Sequence, residues 1–116
     1  MATLKYSDLM AEAKREIREN SLEFIAKNGE KVIFRPVMYL SDAELKVIQV
    51  HLKIVSNEDA DVSDRIEAID RILVAAADRK KALRESLADL PAQSRAKIFE
   101  TWMKVDDAGE ASNSES

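Results

Sequence analysis

The sequence predicts a mainly α-helical domain of about four helices, with one two-stranded antiparallel β-hairpin and a disordered acidic C-terminal tail. Apolar residues recur every three or four positions along most of the chain, which is the spacing of an amphipathic helix. Between residues 21 and 36, an Asn28-Gly29 pair separates two runs rich in β-forming residues. From Asp106 onward the chain holds only Asp, Glu, Ala, Gly, Ser and Asn, a composition too polar to pack.

The charge distribution supports the same division of the chain. The formal net charge is −4. Residues 106–116 contain four acidic and no basic residues, which leaves residues 1–105 with 18 residues of each sign. We therefore expect a neutral helical domain over residues 1–105 and an acidic, disordered tail over residues 106–116.

The first predicted helix covers residues 7–19. Ser7 is a suitable N-cap, and Asp8 in the first turn complements the helix dipole. The apolar face of this helix consists of Leu9, Met10, Ala13 and Ile17.

The predicted hairpin turns at Asn28-Gly29, because a type I′ turn needs positive φ at two successive residues. A two-residue turn of this type pairs Ile25 with Val32. Both faces of the hairpin carry apolar side chains, and an isolated hairpin is only marginally stable in water. Helices must therefore cover it.

The second helix is predicted to begin with a capping box, in which Ser41 is the N-cap and Glu44 reaches back to it. It should run to about Ser56. One apolar stripe consists of Leu45, Ile48, Leu52 and Val55, and a second, roughly opposite stripe consists of Val47, Val50 and Ile54. A helix that is apolar on two sides is either buried between layers or keeps one side for a partner. The sequence leaves both alternatives open for the second stripe.

After an acidic link over residues 57–61, a single long helix is predicted from Asp61 or Val62 to Leu90. Its apolar residues recur at alternating spacings of four and three residues, and Lys80 interrupts this pattern. The favoured interpretation is a seam within a helical bundle, because Ala76 and Lys80 weaken a free-standing coiled coil. The alternative is self-association or capture of a partner helix.

The last helix is predicted from Pro91, which suits a first helical turn, to about Lys104. It places Ile98, Trp102 and Val105 on one face, with Phe99 and Met103 alongside. Aromatic residues and methionine in this setting serve either as core or as anchors of an interface.

The composition gives little support for catalysis or metal binding. The chain has no cysteine, so it can form neither disulfides nor thiolate metal sites. His51 is the only histidine and is expected to be partly exposed, and neither glycine lies in a phosphate-binding loop. We therefore expect no enzyme, no catalytic, cofactor-binding or metal-binding residues, and no cofactor. The sequence has no basic face of the kind that predicts nucleic-acid binding. It also shows no apolar run long enough to predict a membrane span and no signal that predicts secretion.

Two stretches of sequence carry a family resemblance. Residues 32–42, VIFRPVMYLSD, lead from the hairpin into a helix, and residues 102–104, WMK, are followed by GEAS at residues 109–112. Together with the N-terminal helix, the hairpin and the acidic link, they resemble the tail assembly chaperones of long-tailed actinobacteriophages. The ending is similar to that of the family's short, non-frameshifted product.

This resemblance implies a cytoplasmic assembly factor of the infected host cell that is absent from the mature virion. Such a chaperone binds the helical tape measure protein and keeps it soluble while the tail tube assembles. A programmed frameshift near the end of the reading frame makes a longer product, which is a second expected partner. Self-association is a third. No nucleic acid or membrane partner is expected.

The candidate partner-binding residues come from the apolar faces rather than from the family. They are Val47, Val50, Ile54, Phe99, Trp102 and Met103. Two other functional classes remain open from the sequence. One is a structural head–tail adaptor or tail completion protein of the virion, and the other is a small helical regulatory protein.

Overall fold

The computed structural model describes residues 1–114, with side chains as far as Ala108. These residues form five α-helices and one two-stranded antiparallel sheet, so the predicted fold class is confirmed. The helices are α1 (Tyr6–Asn20), α2 (Asp42–Val55), α3 (Val62–Ala76), α4 (Lys80–Asp89) and α5 (Ala92–Ser114), and the strands are β1 (Leu22–Ile25) and β2 (Lys31–Phe34). One turn of 3-10 helix, Val37–Tyr39, joins β2 to α2. Within the described residues, no helix is both long and apolar enough to cross a membrane.

The hydrophobic core lies where the inner face of the hairpin meets α3, α4 and α5. Its largest fully buried side chains are Trp102, Phe34, Ile48, Ile72, Leu73, Leu83 and Val32. Helix α2 packs along α3, which it meets through the first apolar stripe. The guanidinium of Arg65, in the first turn of α3, donates to the carbonyl of Val55 at 3.1 Å. Because the end of α2 thus lies beside the start of α3, the two helices run antiparallel.

The capping box at the start of α2 is confirmed. The Ser41 hydroxyl accepts a hydrogen bond from the Glu44 amide at 3.2 Å, and the Glu44 carboxylate accepts one from the Ser41 amide at 3.0 Å. By contrast, α1 begins after Lys5 without a side-chain cap, so the predicted N-cap role of Ser7 is wrong.

The hairpin turns where predicted, but its register is shifted by one residue. Phe24 faces Val32, and the strands are joined by a three-residue loop whose Gly29 has φ +87°. No non-glycine residue among the described residues has positive φ, which excludes the type I′ turn. The amide of Gly29 donates to the carbonyl of Ala26 at 2.9 Å. This is the common hairpin loop with a glycine bulge, which needs only one residue in the left-handed region.

The single long helix predicted after the acidic link is wrong. Two helices, α3 and α4, are separated by residues 77–79. Ala77 is extended, with φ −78° and ψ 145°, and forms an antiparallel bridge with Phe34 of β2. The buried stripe itself belongs to the core, as the bundle-seam interpretation requires.

The break occurs because the link pairs with the outer edge of β2. The Asp78 amide donates to the Ile33 carbonyl at 3.0 Å, and the Asp78 carboxylate accepts from the Ile33 amide at 2.8 Å. The Arg35 amide donates to the Ala76 carbonyl at 3.1 Å. These contacts give hydrogen-bond partners to backbone N–H and C=O groups on the outer edge of β2 that the hairpin alone would leave unpaired.

Helix α5 extends beyond Lys104, where its end was predicted. Asp106, assigned by the sequence to the tail, lies within α5 and is only 4% exposed. The prediction of a disordered tail is therefore wrong for residues 106–108, which belong to α5. Residues 115–116, and side chains beyond Ala108, lie outside the described part of the chain, and so does that portion of the predicted disordered tail.

Candidate functional site

A groove follows the exposed side of α3. A cavity of about 550 Å³ lies among α2, α3 and the start of α4, with neighbours of about 500 Å³ toward the link and 290 Å³ toward α5. Adjacent cavities share lining residues, so they form one groove, which we call the α3 groove. Its lining includes Ala43, Glu44, Val47, His51, Ile54, Asp64, Glu67, Asp70, Arg71, Val74, Lys80, Arg84, Leu87 and Arg95.

The second apolar stripe of α2 supplies one wall of the α3 groove. Val47 is 37% exposed and Ile54 is half-buried, and both line the groove. Val50, between them in sequence, is 57% exposed and lies outside the lining. Ile48, on the first stripe, is 1% exposed and belongs to the core. The two stripes of α2 therefore have separate roles, and the second remains accessible.

The charged residues inside the groove are mostly paired. Arg71 contacts Glu67 at 3.3 Å along α3, and Arg95 of α5 pairs with Asp70. Lys80 contacts Glu44 at 3.0 Å. The first two pairs are neutral and give the middle of the groove no excess charge, whereas Glu44 at the α4 end is shared by Lys80 and Arg35, which leaves one positive charge there.

Glu44 forms a charge cluster at the α4 end of the groove. Its carboxylate accepts hydrogen bonds from Arg35 at 2.8 Å and from Lys80 at 3.0 Å. Both cations also donate to carbonyls within residues 74–77, where α3 ends. Burial raises the pKa of Glu44, but the Ser41 amide and the two cations outweigh it and lower the pKa to about 2. The cluster thus joins α2, α3, the start of α4 and the residue that follows β2.

The Asp70–Arg95 pair fixes α5 to the groove side of α3. Burial raises the pKa of Asp70, and the neighbouring Arg95 opposes this shift. Within the described part of the chain, Asp70 Oδ1 and Arg95 Nε are buried without a hydrogen-bond partner. The pair therefore positions α5 although two of its own polar atoms have no hydrogen-bond partner. Burying such atoms reduces the contribution of the pair to stability.

The three candidate residues of the last helix do not join this groove. Trp102 is 1% exposed, and its indole N–H donates to the Arg35 carbonyl at 3.1 Å. Phe99 and Met103 are half-buried and pack against the same core. Phe99 stacks at a tilt on Trp102, with 6.4 Å between ring centroids. Trp102 is therefore a core residue.

A second exposed apolar surface lies on the amino-terminal half of α1. Tyr6 is 78% exposed, Leu9 48% and Met10 41%. None of the three groove cavities is lined by α1. The sequence identified Leu9 and Met10 as an apolar face, but it assigned them no role.

Sequence reasoning found the α2 wall but missed the α3 and α4 walls of the groove. The prediction placed Val74 and Arg84 on one continuous helix. On such a helix they could not form two sides of a groove. The break at residues 77–79 instead folds α4 back beside α3. Lys80 interrupts the apolar pattern at this point, but lysine is a good helix former and does not by itself indicate the end of a helix.

The residues that the structure describes contain no candidate metal-binding cluster. No group of three or more carboxylate or imidazole side chains is placed to hold a metal ion. His51 is half-buried at the groove, with its Nδ1 2.6 Å from the Val47 carbonyl oxygen. Comparison of the chain with protein-family models, with curated proteins and with solved structures finds no match.

Proposed function

We propose that this protein is a phage tail assembly chaperone that binds the tape measure protein and keeps it soluble while the tail tube assembles. The proposal combines the sequence resemblance with one structural observation. The second stripe of α2, which begins at Val47, stays accessible beside an open groove while the first stripe packs against the core. The expected location is the host cytoplasm, and the protein acts by binding rather than by catalysis.

The dimensions of the α3 groove suit a helical partner. Helix α3 has 15 residues, so its length is about 22 Å, or about four turns of a helix. An amphipathic helix laid along it can cover Val47, Ile54 and Val74 with its apolar side, which is the usual helix-in-groove mode. A tape measure protein offers many such segments. Repeated weak binding along one partner is therefore the expected mode of action.

Co-expression with the tape measure protein of the same phage tests this proposal. The protein should raise the soluble fraction of the tape measure protein. Val47→Glu places a charge in the groove and should abolish the effect. The matched control is Val62→Glu, since Val62 is 73% exposed and lies outside the groove lining.

The outcomes separate the parts of the proposal. No gain in soluble tape measure protein with the wild-type chain refutes the chaperone function. A gain that survives Val47→Glu, in a variant with wild-type circular dichroism, places the binding surface elsewhere. Recovery of the chain from purified virions would instead support the structural head–tail adaptor.

A further inference from the structure

The two ends of the α3 groove carry opposite charges that form no ion pair within the described residues. Arg84 lines the groove at its α4 end and is exposed, and Asp64 lines it at the opposite end and is also exposed. Neither residue makes a salt bridge to another described residue. The acidic link over residues 57–61 adjoins the Asp64 end and adds three exposed carboxylates.

The middle of the groove does not obscure this polarity. Its acids and bases form the neutral pairs Arg71–Glu67 and Arg95–Asp70, and its remaining wall is apolar, with Val47, Ile54 and Val74. A helix bound in the groove therefore contacts an apolar wall about four helical turns long. The groove is negatively charged at the end beside the link and positively charged at the end beside α4.

We propose that the α3 groove selects the direction of the helix it binds. The occupant is an amphipathic helix with basic residues in its first turn and acidic residues in its last turn. Its amino end lies at Asp64 and its carboxyl end at Arg84, so it runs parallel to α3 and antiparallel to α2. This inference rests on the proposed function, in that the groove is the helix-binding site.

The helix dipole of the occupant favours the same direction. A helix carries partial positive charge at its amino end and partial negative charge at its carboxyl end. In the proposed direction both ends face opposite charge, and in the reverse direction both face like charge. Direction is thereby selected by repulsion as well as by attraction.

Two synthetic helices test the direction directly. Both have 15 residues, the same composition and the same apolar positions, and both carry a hydrocarbon staple so that their helicity is equal. One has lysines in the first turn and glutamates in the last, and the other has the reverse. Fluorescence anisotropy at low salt should show about tenfold tighter binding of the first peptide, the sum expected from several exposed charge contacts. The preference should shrink at high salt because such contacts are screened.

A charge-reversed protein gives the decisive comparison. Arg84→Glu combined with Asp64→Lys should remove most of the preference between the two peptides, because only the link carboxylates then remain to favour one direction. The matched control, Arg18→Glu combined with Asp8→Lys, makes the same charge changes on α1 and should leave the preference as in the wild type. Circular dichroism establishes that both variants fold.

Equal binding of the two peptides, no binding of either, or a preference that the reversal leaves undiminished would overturn the inference. These results are distinct from failure of the proposed function. If tape measure protein is kept soluble but the peptides show no directional preference, only the inference fails. If the preference is present but the tape measure protein stays insoluble, the groove selects helices of another partner and the chaperone proposal fails.

Discussion

The carboxylate of Asp106 accepts a hydrogen bond of 2.9 Å from the backbone N–H of Val37, 69 residues earlier in the chain. One turn earlier in α5, the Trp102 indole donates to the carbonyl of Arg35. Helix α5 is therefore held to the segment that follows β2 by two polar contacts in addition to apolar packing. Burial raises the pKa of Asp106, the Val37 amide opposes that shift, and the charge of Asp107 adds to it.

Asp106→Ala should lower the free energy of unfolding by about 1–2 kcal/mol, because the partly buried Val37 amide loses its acceptor. Asp106→Asn keeps an acceptor oxygen and removes a charge that is costly to bury, so it should stay close to the wild type. Urea denaturation at pH 7 measures both. Equal destabilisation by the two substitutions would show that the hydrogen bond is not the stabilising contact.

The Glu44 cluster predicts a specific acid dependence of stability. The folded-state pKa of Glu44 is about 2, below its ordinary value of 4.5, so its contribution is present above pH 4.5 and is lost as the pH falls toward 2. Glu44→Gln should therefore destabilise the protein at pH 7, and its difference from the wild type should shrink as the pH falls through that window. Denaturant titrations at several pH values measure this. A difference that does not change with pH would contradict the prediction.

Trp102 and Val50 were both predicted from the sequence as candidate binding residues, but their substitution should change the free energy of unfolding by very different amounts. Trp102→Ala removes the largest buried side chain and should cost about 3–5 kcal/mol. Val50→Ala, at an exposed position, should stay within about 0.5 kcal/mol of the wild type. Thermal and urea unfolding check both values. A small effect at Trp102 would remove it from the core.

Gly29 is the residue in the hairpin loop whose conformation an L side chain rarely adopts. Its φ is +87°, and a Cβ there would meet no atom within 4 Å, so the cost of substitution is conformational rather than steric. Gly29→Ala should lower stability by about 1–2 kcal/mol. Gly29→Asn should cost less, since asparagine tolerates this region better. A shift in the unfolding midpoint that is the same for both variants would argue against this explanation.

Locally encoded features were predictable from the sequence. The Ser41 and Glu44 capping box lies within four residues, and both of its hydrogen bonds are present. The position of the hairpin turn was also encoded locally. Its register was not, because a loop with Gly29 alone at positive φ and a two-residue turn share the same sequence signal.

Features set by distant contacts were not predictable. Nothing near Ala77 breaks a helix, since the segment contains neither glycine nor proline. The break arises from hydrogen bonds to β2, more than 40 residues earlier. The opposing walls of the α3 groove depend on that break. The sequence could therefore predict an accessible stripe on α2, but not Val74 and Arg84 across from it.

The pairing of β2 with the α3–α4 link also bears on the order of events during synthesis. Ile33 leaves the ribosome 45 residues before its partner Asp78. At about 5–20 residues per second, the outer edge of β2 stays uncovered for about 2–9 s. A two-stranded hairpin is marginal alone, and an open strand edge is a template for pairing with another chain. The outer edge of β2 is therefore exposed in the nascent chain for a few seconds. It is covered only when α3 has been synthesised and the segment after α3 can pair with β2.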